Sequence, residues 1–366
     1  MSGKRSAIRG CLLGLAVGDA MGYTVDTKTW PQIQEDYGPH GLMGYDLCNG
    51  YADVTSHTQI GVFTCNGLLL GLTRGQVLGK MAPYVKYASL ALREWAAGQR
   101  RYDQPRNIYC WAFRVPELRR RHCVDTRVLD ILNRERLGSM EDPINRSDSP
   151  VSLSAAVAAA LFAQPERISR EEAERLGAEC VALTTGSPMA FLAGAYVTSL
   201  LVSCLQDRDT PLRELVLTAA DTIENRFRRE YTEAAALCGR VRRAAFLAEE
   251  RNMAQVAAME ELTDNSCAGA LAGAVYAALL CEEDFDSAMI VAVNHSGPSA
   301  AVGMLTGAIL GARLGEEALP DFYLEGLEIA TVLRELAGDL YSGCPMTRGN
   351  KLYDADWDRK YLHGEY

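Results

Sequence analysis

The spacing of apolar residues along the chain is helical almost throughout. Ten segments carry apolar residues at 3.6-residue spacing or are rich in alanine and leucine, and convincing alternating strands are scarce. Turn-forming residues at 186–188 and 207–211 separate helices without a long linker. The pattern therefore predicts an all-α protein with a single compact multi-helix domain. The predicted helices are Gln59–Leu72, Val151–Ala163, Ser169–Leu183, Met189–Leu205, Leu212–Arg229, Glu233–Glu250, Asn265–Leu280, Phe285–Val293, Val302–Gly315 and Leu324–Leu340.

Two stretches place a glycine at every fourth position. Glycines at this spacing share one helical face and leave it without side chains, so a neighbouring helix can approach backbone to backbone. Each glycine costs about 1 kcal/mol relative to alanine in a helix interior, and we expect tight packing to offset that cost. Asp19 and Arg313 interrupt the two apolar runs, which are too short for a membrane span, so we predict no membrane partner. The glycines are Gly10, Gly14, Gly18, Gly22, Gly303, Gly307, Gly311 and Gly315.

Length and periodicity together suggest how the chain is organised. With 366 residues, of which 48% are hydrophobic, the chain can build a substantial core. We assign residues 1–342 to one helical domain. Residues 343–366 lose helical periodicity, and we predict an extended C-terminal tail that packs on the body or on a partner. The stretches 31–51 and 98–150 look irregular, and we expect such loops to line a pocket.

Composition narrows the partners and the compartment. The net charge is -10 and no long basic run occurs, which argues against a nucleic-acid partner. Eleven scattered cysteines form no C-x-x-C pair, and this usage is typical of buried thiols in a reducing compartment. The first apolar run contains Asp19 and lacks a cleavage-site pattern, so we predict no signal peptide. The expected location is cytoplasmic.

Five short motifs follow one another along nearly the whole chain. They are GCLLGLAVGDAMGYTVD at 10–26, VTSHTQ at 54–59, ALTTGSP at 182–188, NHSGPSAAVG at 294–303 and LPDFYLEGLE at 319–328. In this order they resemble the opening helix and acidic loop, the T-D-D-T-Q signature, the L-T-H-G-x-P turn, the N-x-G-G-D-S-D-S-x-G loop and the closing element of the ADP-ribosylglycohydrolase family. That family includes the dinitrogenase reductase-activating glycohydrolase, and its members are all-helical.

The resemblance implies a specific chemistry. Family members hydrolyse the glycosidic bond between ADP-ribose and an acceptor, and they bind two divalent ions, usually Mg²⁺. The implied ligands are the threonines and aspartates of T-D-D-T and the aspartates and hydroxyl of D-x-D-S, which are hard oxygen donors of the type that Mg²⁺ prefers. The metals would hold the ribose hydroxyls and stabilise an oxocarbenium-like transition state.

This chain lacks the acids of both motifs. The aspartates of the first motif correspond to Ser56 and His57, and those of the second to Pro298 and Ala300. Three neutral hydroxyls cannot balance two divalent cations, so we expect no metal site and no cofactor. Other positions also differ: an aspartate replaces the glutamate of the first loop and a threonine replaces the histidine of the turn. The hydroxyls in question are Thr55, Thr58 and Ser299, and the two replacements are Asp26 and Thr185.

Two functional interpretations follow. The leading one is a catalytically inactive family member whose cleft binds ADP-ribose, a nucleotide-like ligand or a protein partner. The alternative is a metal-independent hydrolase that uses His57 and His295, with Asp26 or Ser56, in the same cleft, because histidine, serine and aspartate can serve general-base or nucleophilic catalysis. The predicted cleft residues are Asp26, Thr55, Ser56, His57, Thr58, Asn294, His295, Ser296, Gly297 and Ser299.

Overall fold

A computed structural model describes residues 2–47, 50–79, 82–100, 105, 107–164, 166–250 and 252–366. Over these residues the chain is all-α, as predicted, and its only β element is one isolated bridge between Ala52 and Leu327. The helices are α1 (Ser2–Gly22), α2 (Trp30–Tyr37), α3 (Ser56–Leu78), α4 (Tyr84–Gly98), α5 (Thr126–Leu132), α6 (Leu153–Phe162), α7 (Arg170–Ala182), α8 (Pro188–Gln206), α9 (Leu212–Phe227), α10 (Glu233–Glu250), α11 (Gln255–Leu262), α12 (Cys267–Leu280), α13 (Phe285–Val293), α14 (Ser299–Leu314), α15 (Asp321–Gly326), α16 (Ala330–Ser342) and α17 (Ala355–Leu362).

Most predicted helices are present, and two of them, α10 and α13, have the predicted bounds. The predicted helix at 324–340 is wrong as one unit, because the chain breaks between α15 and α16 where the amide of Ala52 donates to the Gly326 carbonyl at 2.8 Å. Five helices, α2, α4, α5, α11 and α17, were not predicted, and α2 and α5 lie in stretches that looked irregular. Their short apolar patterns are weak signals taken alone.

The glycine faces of α1 and α14 pack against each other in antiparallel fashion. Gly10, Gly14 and Gly18 face Gly311, Gly307 and Gly303 in that order, and Gly22 faces the backbone of Ser299. A Cβ atom at Gly14 would lie 2.7 Å from the Gly307 carbonyl carbon, well inside van der Waals contact. The missing side chains therefore allow the backbones to touch, which is the tight packing that the glycine spacing predicts.

The other helices surround this pair. On either side of it, α12 and α13 pack on α14 while α16 packs on α1, and α3, α6, α7 and α8 form the neighbouring layer. Among the described helices, α8 alone is long and apolar enough to cross a membrane, and 89% of its apolar window is buried inside the protein. Such burial is typical of a core helix.

The C-terminal segment differs from the predicted extended tail. Residues 355–362 form α17, which packs on α3 through two largely buried aromatic side chains, Trp357 and Tyr361. The carboxylate of Asp354 caps α17 by accepting a hydrogen bond from the amide of Trp357 at 2.9 Å. The helix forms because its few apolar residues pack against α3. Sequence periodicity alone does not reveal that contact.

Candidate functional site

One cleft of about 870 Å³ opens beside the N-terminus of α3. Its walls come from the turn after α1, the start of α3, the segment from 123 to 134 that contains α5, the loop at 144–151 and the residue preceding α14. Four aspartates and two arginines lie among the lining residues, so the cleft is polar and carries both charges. The charged or polar lining residues are Asp26, Thr27, Ser56, His57, Asp125, Arg127, Asp130, Arg134, Asn145, Ser147, Asp148, Ser149 and Asn265.

Three of the ten predicted cleft residues line this cleft. Asp26 follows α1, while Ser56 and His57 begin α3. The hydroxyl of Ser56 donates to the carbonyl oxygen of Cys123 at 3.1 Å, which ties α3 to the opposite wall. The Nδ1 atom of His57 is buried and has no hydrogen-bond partner among the described residues.

The two threonines of the VTSHTQ motif are directed away from the cleft, toward a buried carboxylate. Asp19 of α1 is fully buried and accepts hydrogen bonds from the hydroxyls of Thr55 and Thr58, both at 2.6 Å. The same carboxylate accepts from the backbone amides of both threonines, at 2.9 and 3.1 Å. A buried anion at a helix N-terminus is favourable because the free amides and the helix dipole both stabilise it. Asp19 thus fixes the start of α3.

Asp26 supports the other side of the cleft. Its Oδ1 atom accepts a hydrogen bond from the amide of Ala300 at 3.1 Å, at the N-terminus of α14. Burial raises the pKa of Asp26, while the Ala300 hydrogen bond and the nearby charge of His57 partly oppose that rise. The backbone just beyond it is strained, because Thr27 has a φ of 68°. Asp26 therefore links the turn after α1 to α14 rather than extending freely into the cleft.

His295 does not lie with His57 in the cleft, and the expectation that it does is wrong. Its ring is fully buried, with Nε2 at 3.0 Å from the Ala292 carbonyl oxygen and Nδ1 at 3.3 Å from the Thr263 hydroxyl. Burial lowers the pKa of His295 to about 4. The imidazole is therefore neutral at neutral pH and serves as a core hydrogen-bonding group.

The remaining residues of the 294–299 loop also have structural contacts. Asn294 bridges to the backbone of Leu42 in both directions, at 2.8 and 2.9 Å, and Ser296 accepts a hydrogen bond at 2.8 Å from the amide of Trp30 at the start of α2. The carbonyl of Gly297 accepts from the amide of Ser299, whose side chain is fully buried. These four residues do not line the cleft. The sequence analysis predicts them as lining residues, whereas the structure gives them supporting contacts.

The cleft also contains residues that sequence reasoning missed. Asp125 caps α5, and Arg127 donates two hydrogen bonds to it at 3.1 and 3.0 Å. Burial would raise the pKa of Asp125, but the hydrogen bonds from Arg127 outweigh it and the pKa is lowered. Asp148 has one buried carboxylate oxygen without a hydrogen-bond partner among the described residues, and burial raises its pKa. Asp125 before an apolar run was a readable N-cap signal; nothing local marked Asp148.

These donors do not fit a pair of divalent ions. The hydroxyls of Thr55 and Thr58 donate to Asp19 and offer a metal ion only neutral lone pairs, and Pro298 and Ala300 offer no side-chain oxygen. Within the described part of the chain, no group of three His, Cys, Asp or Glu side chains is arranged to hold a metal ion. Magnesium requires several oxygen ligands with compensating charge, and this arrangement does not supply them.

Comparisons with known proteins place the chain in a family. The family model described as ADP-ribosylglycohydrolase matches residues 1–350. A solved structure described as an ADP-ribosylglycohydrolase-related protein complex is similar in fold, with a TM-score of 0.59 and 21% sequence identity, over 93% of this chain and 99% of that chain. No curated protein sequence matches the chain. The match over almost the full length, together with the helical fold, shows that the chain belongs to the ADP-ribosylglycohydrolase family.

Proposed function

We propose that this protein is a catalytically inactive member of its family, and that its cleft binds an ADP-ribose-like or nucleotide-like ligand without hydrolysing it. The observation that carries the proposal is the state of the two metal motifs. Ser56, His57, Pro298 and Ala300 stand where the family has carboxylates. The family reaction depends on metal ions held by those acids, so a chain without them retains the fold but not the means of catalysis.

The fate of the retained threonines supports this proposal. A hydroxyl that donates its proton to Asp19 at 2.6 Å keeps its lone pairs but is held in an orientation set by that carboxylate. Thr55 and Thr58 are therefore needed to satisfy a buried charge. Without the two hydroxyls Asp19 would keep only the two backbone amides as donors, a loss of about 1.5–3 kcal/mol for each missing hydrogen bond.

The dimensions and chemistry of the cleft support the ligand class. A volume of about 870 Å³ falls in the range of pockets that bind small molecules. Arg127 is paired with Asp125, whereas Arg134 at the rim has no acidic partner among the described residues and is the guanidinium available to a phosphate. Asn265 supplies an amide group suited to a ribose hydroxyl or a base edge, whereas the Asn145 amide is engaged with the backbone of Thr184, Ser147 and Gly186.

The proposal is tested by separating binding from turnover. Thermal shift and calorimetry with ADP-ribose should show binding that Mg²⁺ or Mn²⁺ does not strengthen, because a ligand selective for the native state raises stability by mass action. The Arg134→Ala variant should weaken binding. Arg136→Ala is the matched control, because Arg136 is exposed, pairs with Asp142 and lies outside the cleft lining. Magnesium-dependent release of ADP-ribose from arginine or serine conjugates would refute the proposal.

One observation favours a second candidate, a metal-independent hydrolase. His57 and Asp26 line the same cleft and lie close enough for the charge of His57 to affect the pKa of Asp26. The serine is not poised as a nucleophile, because the Ser56 hydroxyl donates to Cys123, and His295 is buried elsewhere. His57 would then act as the general base toward a water molecule, and Asp26 would orient that water. Metal-free turnover that His57→Ala abolishes and Ser56→Ala retains would establish this candidate over the inactive one.

A further inference from the structure

The C-terminal residues 351–366 lie beyond the part of the chain that the family model matches. They are nevertheless firmly attached to the body. The indole Nε1 of Trp357 donates to the Thr73 hydroxyl at 2.9 Å, and the Tyr361 hydroxyl donates to Asp339 at 2.6 Å. Trp357 is 7% exposed and Tyr361 is 0% exposed, so these two side chains anchor α17 to α3 and α16.

A second set of contacts joins this C-terminal segment to a different part of the chain. The Tyr366 ring stacks on Trp111, with centroids 4.9 Å apart and planes inclined by 16°. The Lys360 ammonium lies 4.4 Å from the centre of the same indole. The guanidinium of Arg114 donates to the Gly364 carbonyl oxygen at 3.3 Å. The last four residues thus cover the 3-10 turn at Trp111–Arg114.

That turn leads into the wall of the cleft. Residues 115–125 contain only one further 3-10 turn, Glu117–Arg119, before Cys123, Val124 and Asp125 reach the cleft. This connection has few backbone hydrogen bonds of its own, and it includes a strained residue, Cys123, with a φ of 46°. Segments of this type open more readily than helices. Side chains of α3 hold this one at two points, where Gln59 donates to the Arg120 carbonyl oxygen at 2.8 Å and Ser56 to that of Cys123, and contacts at its ends add to its local stability.

We propose that residues 355–366 act as a clamp that fixes the segment from 107 to 125 and, through it, the conformation of the cleft wall at Cys123 and Asp125. In this arrangement Trp357 and Tyr361 attach α17 to the body. The contacts that hold the segment from 107 to 125, called the grip below, are the stack of Tyr366 on Trp111 and the Arg114 to Gly364 hydrogen bond. The clamp concerns the conformation of the cleft wall, and it does not depend on which ligand the cleft binds.

Hydrogen–deuterium exchange measured by mass spectrometry tests the clamp without any ligand. Deleting residues 363–366 removes the grip and leaves both anchors of α17 in place. We expect amide exchange at 119–129, where the amides of Arg119, Arg120, Val128 and Leu129 are hydrogen-bonded, to become about two- to tenfold faster, the range that an aromatic pair contributes. Exchange in α1 and α14 should stay unchanged. Faster exchange confined to 107–114, with 119–129 unaffected, would overturn the proposal.

Point variants guard against an effect of the deletion on overall stability. Tyr366→Ala should reproduce the faster exchange at 119–129, and Tyr366→Phe, which keeps the stacked ring, should restore the original rate. Tyr353→Ala is a matched control, because Tyr353 and Tyr366 are both 57% exposed and lie in the same terminal segment. Equal effects of Tyr353→Ala and Tyr366→Ala, or no rescue by phenylalanine, would contradict the clamp.

Discussion

The antiparallel glycine contact between α1 and α14 predicts that adding one methyl group will destabilise the protein. In a Gly14→Ala variant the new Cβ atom would lie 2.7 Å from the Gly307 carbonyl carbon, whereas ordinary contact begins at 3.4 Å. The obstacle is backbone on a helix held by its own neighbours, so no side chain can rotate away. The two helices must move apart, and packing is therefore also lost at the glycine contacts on either side of Gly14.

The magnitude follows from two opposing effects. Alanine gains about 1 kcal/mol over glycine as a helix former. Overpacking a well-packed core costs about 1–3 kcal/mol, and a clash with backbone on both sides belongs at or above the upper end. We therefore expect a net loss of about 2 kcal/mol in the free energy of unfolding, measured by urea denaturation followed by circular dichroism at constant m-value.

Gly239 provides the matched control for this prediction. It lies in α10, and a Cβ atom built there meets no atom within 4 Å. Gly239→Ala should therefore stabilise the protein by up to about 1 kcal/mol, because only the helix-propensity gain applies. Equal or greater stability of Gly14→Ala than of the unmodified protein would refute the packing argument. The Gly14→Ala/Gly307→Ala double variant should lose less free energy of unfolding than the two single variants added together. Moving the helices apart once makes room for both methyl groups.

Three further predictions concern buried titratable groups, each measured by urea denaturation. Because the folded pKa of His295 is about 4, below its ordinary 6.5, stability should fall by about 2 kcal/mol from about pH 7 to pH 5 in excess of a His295→Gln variant. Asp19→Asn should cost about 2–4 kcal/mol, because an amide nitrogen replaces one of the two carboxylate oxygens that together accept four buried hydrogen bonds. Asp26→Asn keeps the acceptor for the Ala300 amide; since the folded pKa of Asp26 is raised, its stability relative to the unmodified protein should increase with pH from about 4 to 7.

Each of these three has an outcome that would contradict it. Parallel pH profiles for His295→Gln and the unmodified protein would mean that the imidazole is not held neutral by burial. A loss below about 1 kcal/mol in Asp19→Asn would mean that the carboxylate is dispensable for the start of α3. A constant stability difference between Asp26→Asn and the unmodified protein across the pH range would mean that burial does not penalise its ionised form.

The fold was predictable because the information for it is local. The periodicity of α10 and α13 sets their bounds, and the four-residue glycine spacing announces a close helix contact. The partner of each glycine face was not readable, since pairing α1 with α14 depends on contacts across almost the whole chain. The same limit explains α17, whose apolar residues have meaning only against α3.

The site was predictable only where a motif lies on a helix of definite orientation. His57, at the start of α3, lies in the cleft because its neighbours Thr55 and Thr58 point inward and donate hydrogen bonds to Asp19. His295 lies in a loop, and loop sequence does not state which way a ring points; here it turns inward to Thr263. Asp148 reaches the cleft through long-range packing for which no spacing rule exists.

The position of Asp19 changes what the retained threonines mean. A threonine found at the position of a family metal ligand invites the inference that some metal affinity remains. Here both hydroxyls satisfy a buried carboxylate, so their presence is explained by the start of α3 alone. Metal affinity would have to be rebuilt on α3 and on the loop before α14 together. The side chains of Pro298 and Ala300 are apolar, so acids added to α3 alone would face only Asp26 on that side, which is fewer ligands than Mg²⁺ requires.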